Sequence, residues 1–394
     1  MKPTLIPPPA APSPSRKDGK LRQSNFELLR IAAMFMIMFH HFAVHGGFSF
    51  DRTVLSVPRF YNYFLAMLGK IGVNLFVMIS GYFLITDTAE GIRWKKVIKL
   101  WGQVFFYSVV LYLVRSCVLN GSLLPNRETL PEFLKYLRPI TNAIQWFPAP
   151  YLLMYLLHPW LNMFLRSIRK NSYQQLLFLL LVCWCIIPTA LNSGFQSNNL
   201  LWFITLYMLA GYMRLYGLKE ALVRRAGTYA AISLLLGYLL TISIMLLGTR
   251  WEYFSGKITR FHGMNMLPQV LSSVFLLQAF ANWRIGSRKW INRISSATFG
   301  VYLIHDNGLI RPLLWKNLFH VADYQDSLAI IPYSIAVVLT IFACCALVDL
   351  LRQLTVERIF MGAVNRYSNH LSNSAERMSS FFKKLLFGEK TADV

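Results

Sequence analysis

Charge is scarce in this chain, and acidic charge is scarcer still. Only 14% of the 394 residues are charged, with 17 Asp+Glu against 40 Lys+Arg. A soluble domain carries nearer a quarter charged residues, so an ordinary soluble globule is excluded. Cysteine is sparse as well: Cys117, Cys183, Cys185, Cys344 and Cys345 are the five present. Their spacings fit neither a zinc site nor a disulfide framework, so no metal is expected and they read as small packing residues. There is no P-loop, no Rossmann glycine pattern and no Gly-x-Ser-x-Gly elbow. Ser80-Gly81 runs on into Tyr82 and does not complete one. No alternating pattern of a β-barrel appears. The net charge of +23 has no basic stripe with interleaved aromatics outside the apolar blocks, so nucleic acid is not an expected partner.

Apolar length is what the chain has in plenty. Hydrophobic residues make up 55% and the mean hydropathy is +0.42. Blocks of ~17–25 apolar residues recur, each long enough to cross a bilayer core of roughly 30 Å. The expected fold is all-α: a polytopic integral membrane helix bundle of about ten transmembrane helices. The spans are expected near 26–46, 60–85, 97–118, 148–165, 174–190, 199–216, 227–247, 264–282, 296–314 and 328–351. They must be helices, because in lipid a lone chain satisfies its own backbone only that way.

Basic residues set the expected orientation. With the N-terminus inside, the inner segments hold most of the Lys and Arg, and the outer ones fewer than half as many. That bias predicts an even number of spans with both termini cytoplasmic, in a multi-pass protein of the cell membrane. Three regions follow: a disordered Pro-rich basic tail over 1–24, a membrane domain over 25–355, and a basic cytoplasmic tail over 356–394. No cleavable signal peptide is evident, so the first block reads as an uncleaved anchor. The second block carries Lys70 in its middle, where charge is costly. Either Lys70 lines a polar cavity, or residues 58–69 lie at the interface and a short span starts near Ile71.

Polar residues inside spans carry the functional information. Arg30 and His41 are 11 residues apart on the first span, three turns plus ~20°, so they share one face about 16 Å apart along the axis. Glu27, Met34, Met38 and His45 lie on or near that stripe, and His40 points about 100° away. Imidazole suits a general base near neutral pH. The planar guanidinium of Arg suits a phosphate or carboxylate. The structural alternative is that Arg30 snorkels to the interface while His41 bonds a neighbouring helix. His305 and Asp306, near the middle of the ninth expected span, are functional candidates by position, or else a buried structural pair with Arg311 one turn outward. Ser80 and the tyrosines could bond an acceptor or join helices. Trp146 and Trp202 are expected near the membrane interfaces.

Arg, ten residues, then His on the first helix resembles the signature of acyltransferase family 3, the integral-membrane sugar O-acyltransferases of bacteria. Four further blocks extend the likeness. Gly72-Val-Asn-Leu-Phe-Val-Met-Ile-Ser-Gly-Tyr-Phe-Leu84 resembles the family's second span. Trp146-Phe147 with Tyr151, Tyr155, Pro159, Leu161 and Asn162 resembles its fourth. Trp202-Phe203, Tyr207 and Gly211-Tyr212 resemble its sixth, and Phe299-Gly-Val-Tyr-Leu-Ile-His305 its ninth. Asn74 stands where many members have Asp, and reads as the mark of a subgroup.

The resemblance implies acyl-CoA, most simply acetyl-CoA, as donor substrate, with no permanently bound cofactor. It implies a hydroxyl of a cell-surface glycan, or of its lipid-linked sugar precursor, as acceptor. His41 would be the catalytic residue, as general base or as transient acyl carrier, with Arg30 helping to place the CoA. Arg93, Lys95, Lys96 and Lys99 match the family's basic cluster after the second span, and Arg93, Lys96 and Lys99 are expected on the CoA phosphates. Trp146, Tyr151 and His305 are the expected acceptor contacts. Two rival readings use the same residues: a polysaccharide-precursor transporter or flippase, and a catalytically dead membrane sensor.

Overall fold

The computed structural model describes residues 22–88, 91–121 and 125–367, with 377, 380–381 and 384–386. The expected N-terminal tail up to residue 21, and most of the expected C-terminal tail past 367, lie outside the described residues. No strand occurs among the described residues. The long helices are α1 (Ser24–His45), α2 (Val57–Leu84), α3 (Trp94–Asn120), α4 (Pro148–Ser167), α5 (Lys170–Leu191), α6 (Asn199–Tyr216), α7 (Ala226–Arg250), α8 (Leu267–Asn282), α9 (Lys289–His305) and α10 (Ile330–Leu354). A shorter helix, α11 (Val356–Arg366), follows α10 directly.

Among the described residues, 7 helical segments are long and apolar enough to cross a membrane: α1, α2, α3, α5, α7, Glu252–Asn282 ending in α8, and Ile330–Arg366 beginning with α10. Helices stand at the other three expected spans, but α4, α6 and α9 do not reach that standard. The α9 helix has only 17 residues. The α4 helix departs from expectation for a different reason. Trp146, just before it, touches Lys70 halfway along α2, while Asn162 and Arg166 near its far end bond the Leu84 and Ile85 carbonyls where α2 stops. The α4 helix therefore runs beside only the second half of α2. Just before it, Gln145 and Phe147 are buried against protein.

α1 is the hub. It packs along α2 and also meets α8, α9 and α10. Leu29, Ala33, Met34, Met38 and Phe42 are buried along it. In lipid the hydrophobic effect does little to join helices, so close approach and polar contacts must do it. A Cβ at Gly72 would stand 2.5 Å from the Ala33 carbonyl oxygen, and one at Gly69 would collide with His40. The Gly81 position faces the Tyr207 backbone of α6 in the same way. The glycines of the second block are thus contact points for the two helices that flank α2.

The α2 helix is continuous across Lys70, from the Ser56 N-cap, whose hydroxyl accepts from the Arg59 amide, to Leu84. Residues 58–69 and those from Ile71 onward belong to one 28-residue helix, so no separate short helix starts near Ile71. The ninth expected span also differs. α9 ends at His305, and Asp306 follows in a non-helical conformation. Asn307 then accepts the Leu309 amide through its side chain and the chain turns through Gly308 before a π-helical turn over Leu313–Leu318. Asn-Gly is a helix-stopping pair, and it outweighed the apolar residues around it. Asp306 therefore stands at a helix end instead of mid-span.

Candidate active site

The Arg30–His41 stripe of α1 faces protein along its length. At one end, His41 is 7% exposed and meets two partners from the α9 C-terminus. Its Nδ1 lies 2.9 Å from His305 Nε2, and its Nε2 lies 3.5 Å from Asp306 Oδ1. One turn on, His45 Nε2 is 3.9 Å from the same carboxylate oxygen. Arg311 folds back from the turn after α9, placing Nε 3.2 Å from Asp306 Oδ1 and Nη1 3.3 Å from His45 Nε2. Asp306 is buried, whereas the side chains of His45 and Arg311 are about a third exposed (29% and 31%). The cluster is thus closed around His41 and open past His45.

The hydrogen bonds assign the histidine tautomers. His305 Nδ1 is 2.6 Å from the Val301 carbonyl, which can only accept, so Nδ1 carries the proton. Neutral His305 then offers a bare Nε2, and His41 Nδ1–H donates to it. That leaves the lone pair of His41 on Nε2, the nitrogen beside Asp306. A proton arriving there creates an imidazolium 3.5 Å from a carboxylate. This is the geometry in which an acid stabilises a general base after it has done its work. His40, by contrast, bonds the Ala66 carbonyl and takes no part.

Three ligand atoms, from His41, His45 and Asp306, lie within 4.8 Å of one another, a spacing a metal ion could use. Arg311 already directs a guanidinium at two of them, so this donor set meets a cation that the chain itself supplies.

The other end of the stripe opens into a cavity of about 350 Å³. Arg22, Arg30, Lys99 and Arg352 bring four cations to its wall, and Glu27 and Glu357 two anions. Arg30 Nη1 holds the Glu27 carboxylate at 3.0 and 3.1 Å, and Ser295 of α9 also bonds Glu27. Glu357 of α11 bridges Lys99 at 2.5 Å and Arg352 at 2.9 Å. Arg352 also bonds Asp349, a buried carboxylate that accepts from Gln103, Tyr107 and Gln353 as well. Asp349 packs onto α9 at Gly300, where any Cβ would strike its carboxyl group.

Of the residues expected on a CoA, Arg30 and Lys99 share this cavity. Arg93 pairs with Asp87 outside it, and Lys96 does not line it. The expected acceptor contacts divide. His305 bonds His41. Trp146 is half-buried, with Lys70 Nζ 4.8 Å from the centre of its ring. Tyr151 lines the Arg30 cavity and shares a hydrogen bond with Ser80 at 2.9 Å. Trp202, also expected near an interface, is 1% exposed and donates Nε1 to Asn74. The Asn74 amide in turn donates to the Met264 carbonyl, a bond an Asp carboxylate could not make. Reading the sequence missed Arg352 and Glu357, since nothing local ties them to Arg30, and it credited Arg311 with no more than a structural pairing.

The family model described as an acyltransferase domain matches residues 23–349. The chain belongs to acyltransferase family 3. No curated protein matches it, and neither does any solved structure. This family 3 member is a multi-pass membrane protein, and its catalytic class is acyl transfer. The matched region starts just before α1 and ends at Asp349, so α11, with Glu357, lies beyond the family domain.

Proposed function

We propose that this acyltransferase moves an acyl group, most simply acetyl, from acyl-CoA to a hydroxyl of a cell-surface carbohydrate or its lipid-linked precursor. It would work in the cell membrane with the Arg30 end facing the cytoplasm. The observation that carries the reading is the bare Nε2 of His41, held by His305 and backed by Asp306. His41 Nε2 takes the acceptor proton as the hydroxyl oxygen attacks the thioester carbon. The thiolate of CoA then leaves and receives that proton. Asp306 stabilises the imidazolium between the two steps, and Arg311 holds the carboxylate in place.

The cations at the other end of α1 suit the donor. CoA carries a diphosphate and a ribose phosphate, and Arg forks and Lys ammoniums are the usual partners of such groups. A pantetheine arm is long and thin, so phosphates at Arg30 and a thioester near His41 are compatible with the roughly 16 Å between those residues along the helix. The arm would pass Phe147, which lines the cavity and packs on Tyr302, itself next to His305. The test is direct. Glycan acylation is measured by mass spectrometry in cells expressing the wild type or His41→Ala, with membrane insertion checked. Acylation should fall to background, a loss of at least about 10³-fold. Undiminished acylation by a normally inserted variant rejects the assignment.

A further inference from the structure

We propose that Lys70 is a further catalytic residue, whose ammonium meets the oxyanion formed when the acceptor hydroxyl adds to the acyl carbonyl. The proposal rests on the acyl-transfer reading of His41.

Lys70 stands halfway along α2, at a depth where an ionisable side chain is expensive unless it faces a polar chamber. Gly69 packs on His40 and Gly72 on the Ala33 carbonyl, which brings Lys70 alongside the turn of α1 that carries His41. Its Nζ lies 4.8 Å from the centre of the Trp146 ring. Trp146 abuts Phe147, the residue between the Arg30 cavity and Tyr302. The Lys70 charge reaches Asp306 on one side of His41 and His40 on the other. The ammonium therefore lies beside Trp146, whose neighbour Phe147 lines the donor cavity and packs on Tyr302, so a thioester carbonyl arriving past Phe147 would come within its reach.

Two features favour an oxyanion there. Among the described residues Lys70 makes no hydrogen bond and no ion pair; an aromatic face is its near contact. A cation held by a ring face keeps its N–H donors unspent. Lys70 and Arg311 also both act on the carboxylate of Asp306, so with neutral histidines the local net charge is positive. Negative charge developing in the transition state is then met by a fixed cation at low dielectric, where such an interaction is strongest.

The step balances without another reactant. The acceptor oxygen bonds to the acyl carbon, its proton goes to His41 Nε2, and the carbonyl π pair becomes the oxyanion facing Lys70. When that pair re-forms the carbonyl, the C–S bond breaks and the thiolate takes the proton from His41.

The experiment uses the full-length protein in liposomes, with labelled acetyl-CoA as donor and native membrane glycan as acceptor. Lys70→Met, Lys70→Arg and His41→Ala are compared, after gel filtration has confirmed a monodisperse protein. Lys70→Met should lower kcat by about 10²–10³-fold and leave the KM for acetyl-CoA unchanged, with Lys70→Arg regaining at least roughly a tenth of the rate. Lys70→Gln replaces Lys70→Met, with the same expected values, should the latter fail to purify. A Lys70→Met enzyme within about threefold of wild type beside an inactive His41→Ala overturns the role of Lys70 and leaves the acyl-transfer reading standing. A change confined to KM also overturns it. An active His41→Ala enzyme removes the underlying reading first.

Discussion

The two ends of α1 are built on opposite plans. Around Arg30 the protein is open: a cavity of about 350 Å³ with four cations on its wall, where Arg30 pairs with Glu27, and Lys99 and Arg352 with Glu357. Around His41 it is closed: Nδ1 is held by His305, itself anchored on the Val301 carbonyl, and Nε2 faces Asp306. The difference follows from what each end must meet. A polyanionic donor has to enter, bind and leave, so its contacts must be exchangeable. A proton transfer needs donor and acceptor positioned before the reaction starts, because reorganisation during the step would add to the barrier. An open charged end should therefore control donor affinity, and a closed end should control the rate of chemistry.

Three substitutions can break or sharpen that contrast. The largest effect is expected from His305→Phe. It removes the acceptor of His41 Nδ1–H, so the imidazole loses its fixed tautomer and orientation. The expected outcome is a kcat lower by about 10²–10³-fold with the KM for acyl-CoA unchanged. Steady-state kinetics checks it, and a change in KM alone would erase the division between the two ends. Next comes Arg30→Gln, which should raise the KM for acyl-CoA roughly tenfold while kcat holds, in keeping with one charge-assisted contact to phosphate. That increase should shrink as salt is added. Equal losses in kcat and kcat/KM would instead make Arg30 part of the chemistry. The smallest effect is that of Glu357→Gln. It frees Lys99 and Arg352 from an internal carboxylate, and donor affinity should improve by about two- to threefold, a value in the range of an exposed ion pair. Isothermal titration with CoA reads it, and weaker binding would mean that Glu357 shapes the cavity more than it competes with the ligand.

The stripe on α1 was legible because helical periodicity is local. Arg30, His41, His45 and Glu27 share a face at 3.6 residues per turn whatever surrounds them. The glycines at 72 and 81 were legible as a block, although their task, letting α1 and α6 approach α2, needed the partners to be seen. The ninth segment misled, because an apolar window averages over a local stop signal and Asn307-Gly308 ends the helix inside it. The result is productive: the break lets Asp306 and Arg311 turn back onto His41 and His45.

What the chain by itself determined is therefore whatever depends on neighbours in sequence: an all-helical membrane protein, the shared face of Arg30 and His41, and a family likeness that the matched region bears out. What only the tertiary structure decided is which distant charges meet. His305 lies 264 residues from His41, yet the hydrogen bond between them, with His305 already anchored on the Val301 carbonyl, settles the tautomer of His41. Lys70 and Trp146, or Lys99 and Glu357, are likewise brought together by helix packing. Periodicity sets the direction in which a side chain leaves its helix, but the partner it finds there depends on how every other helix is placed.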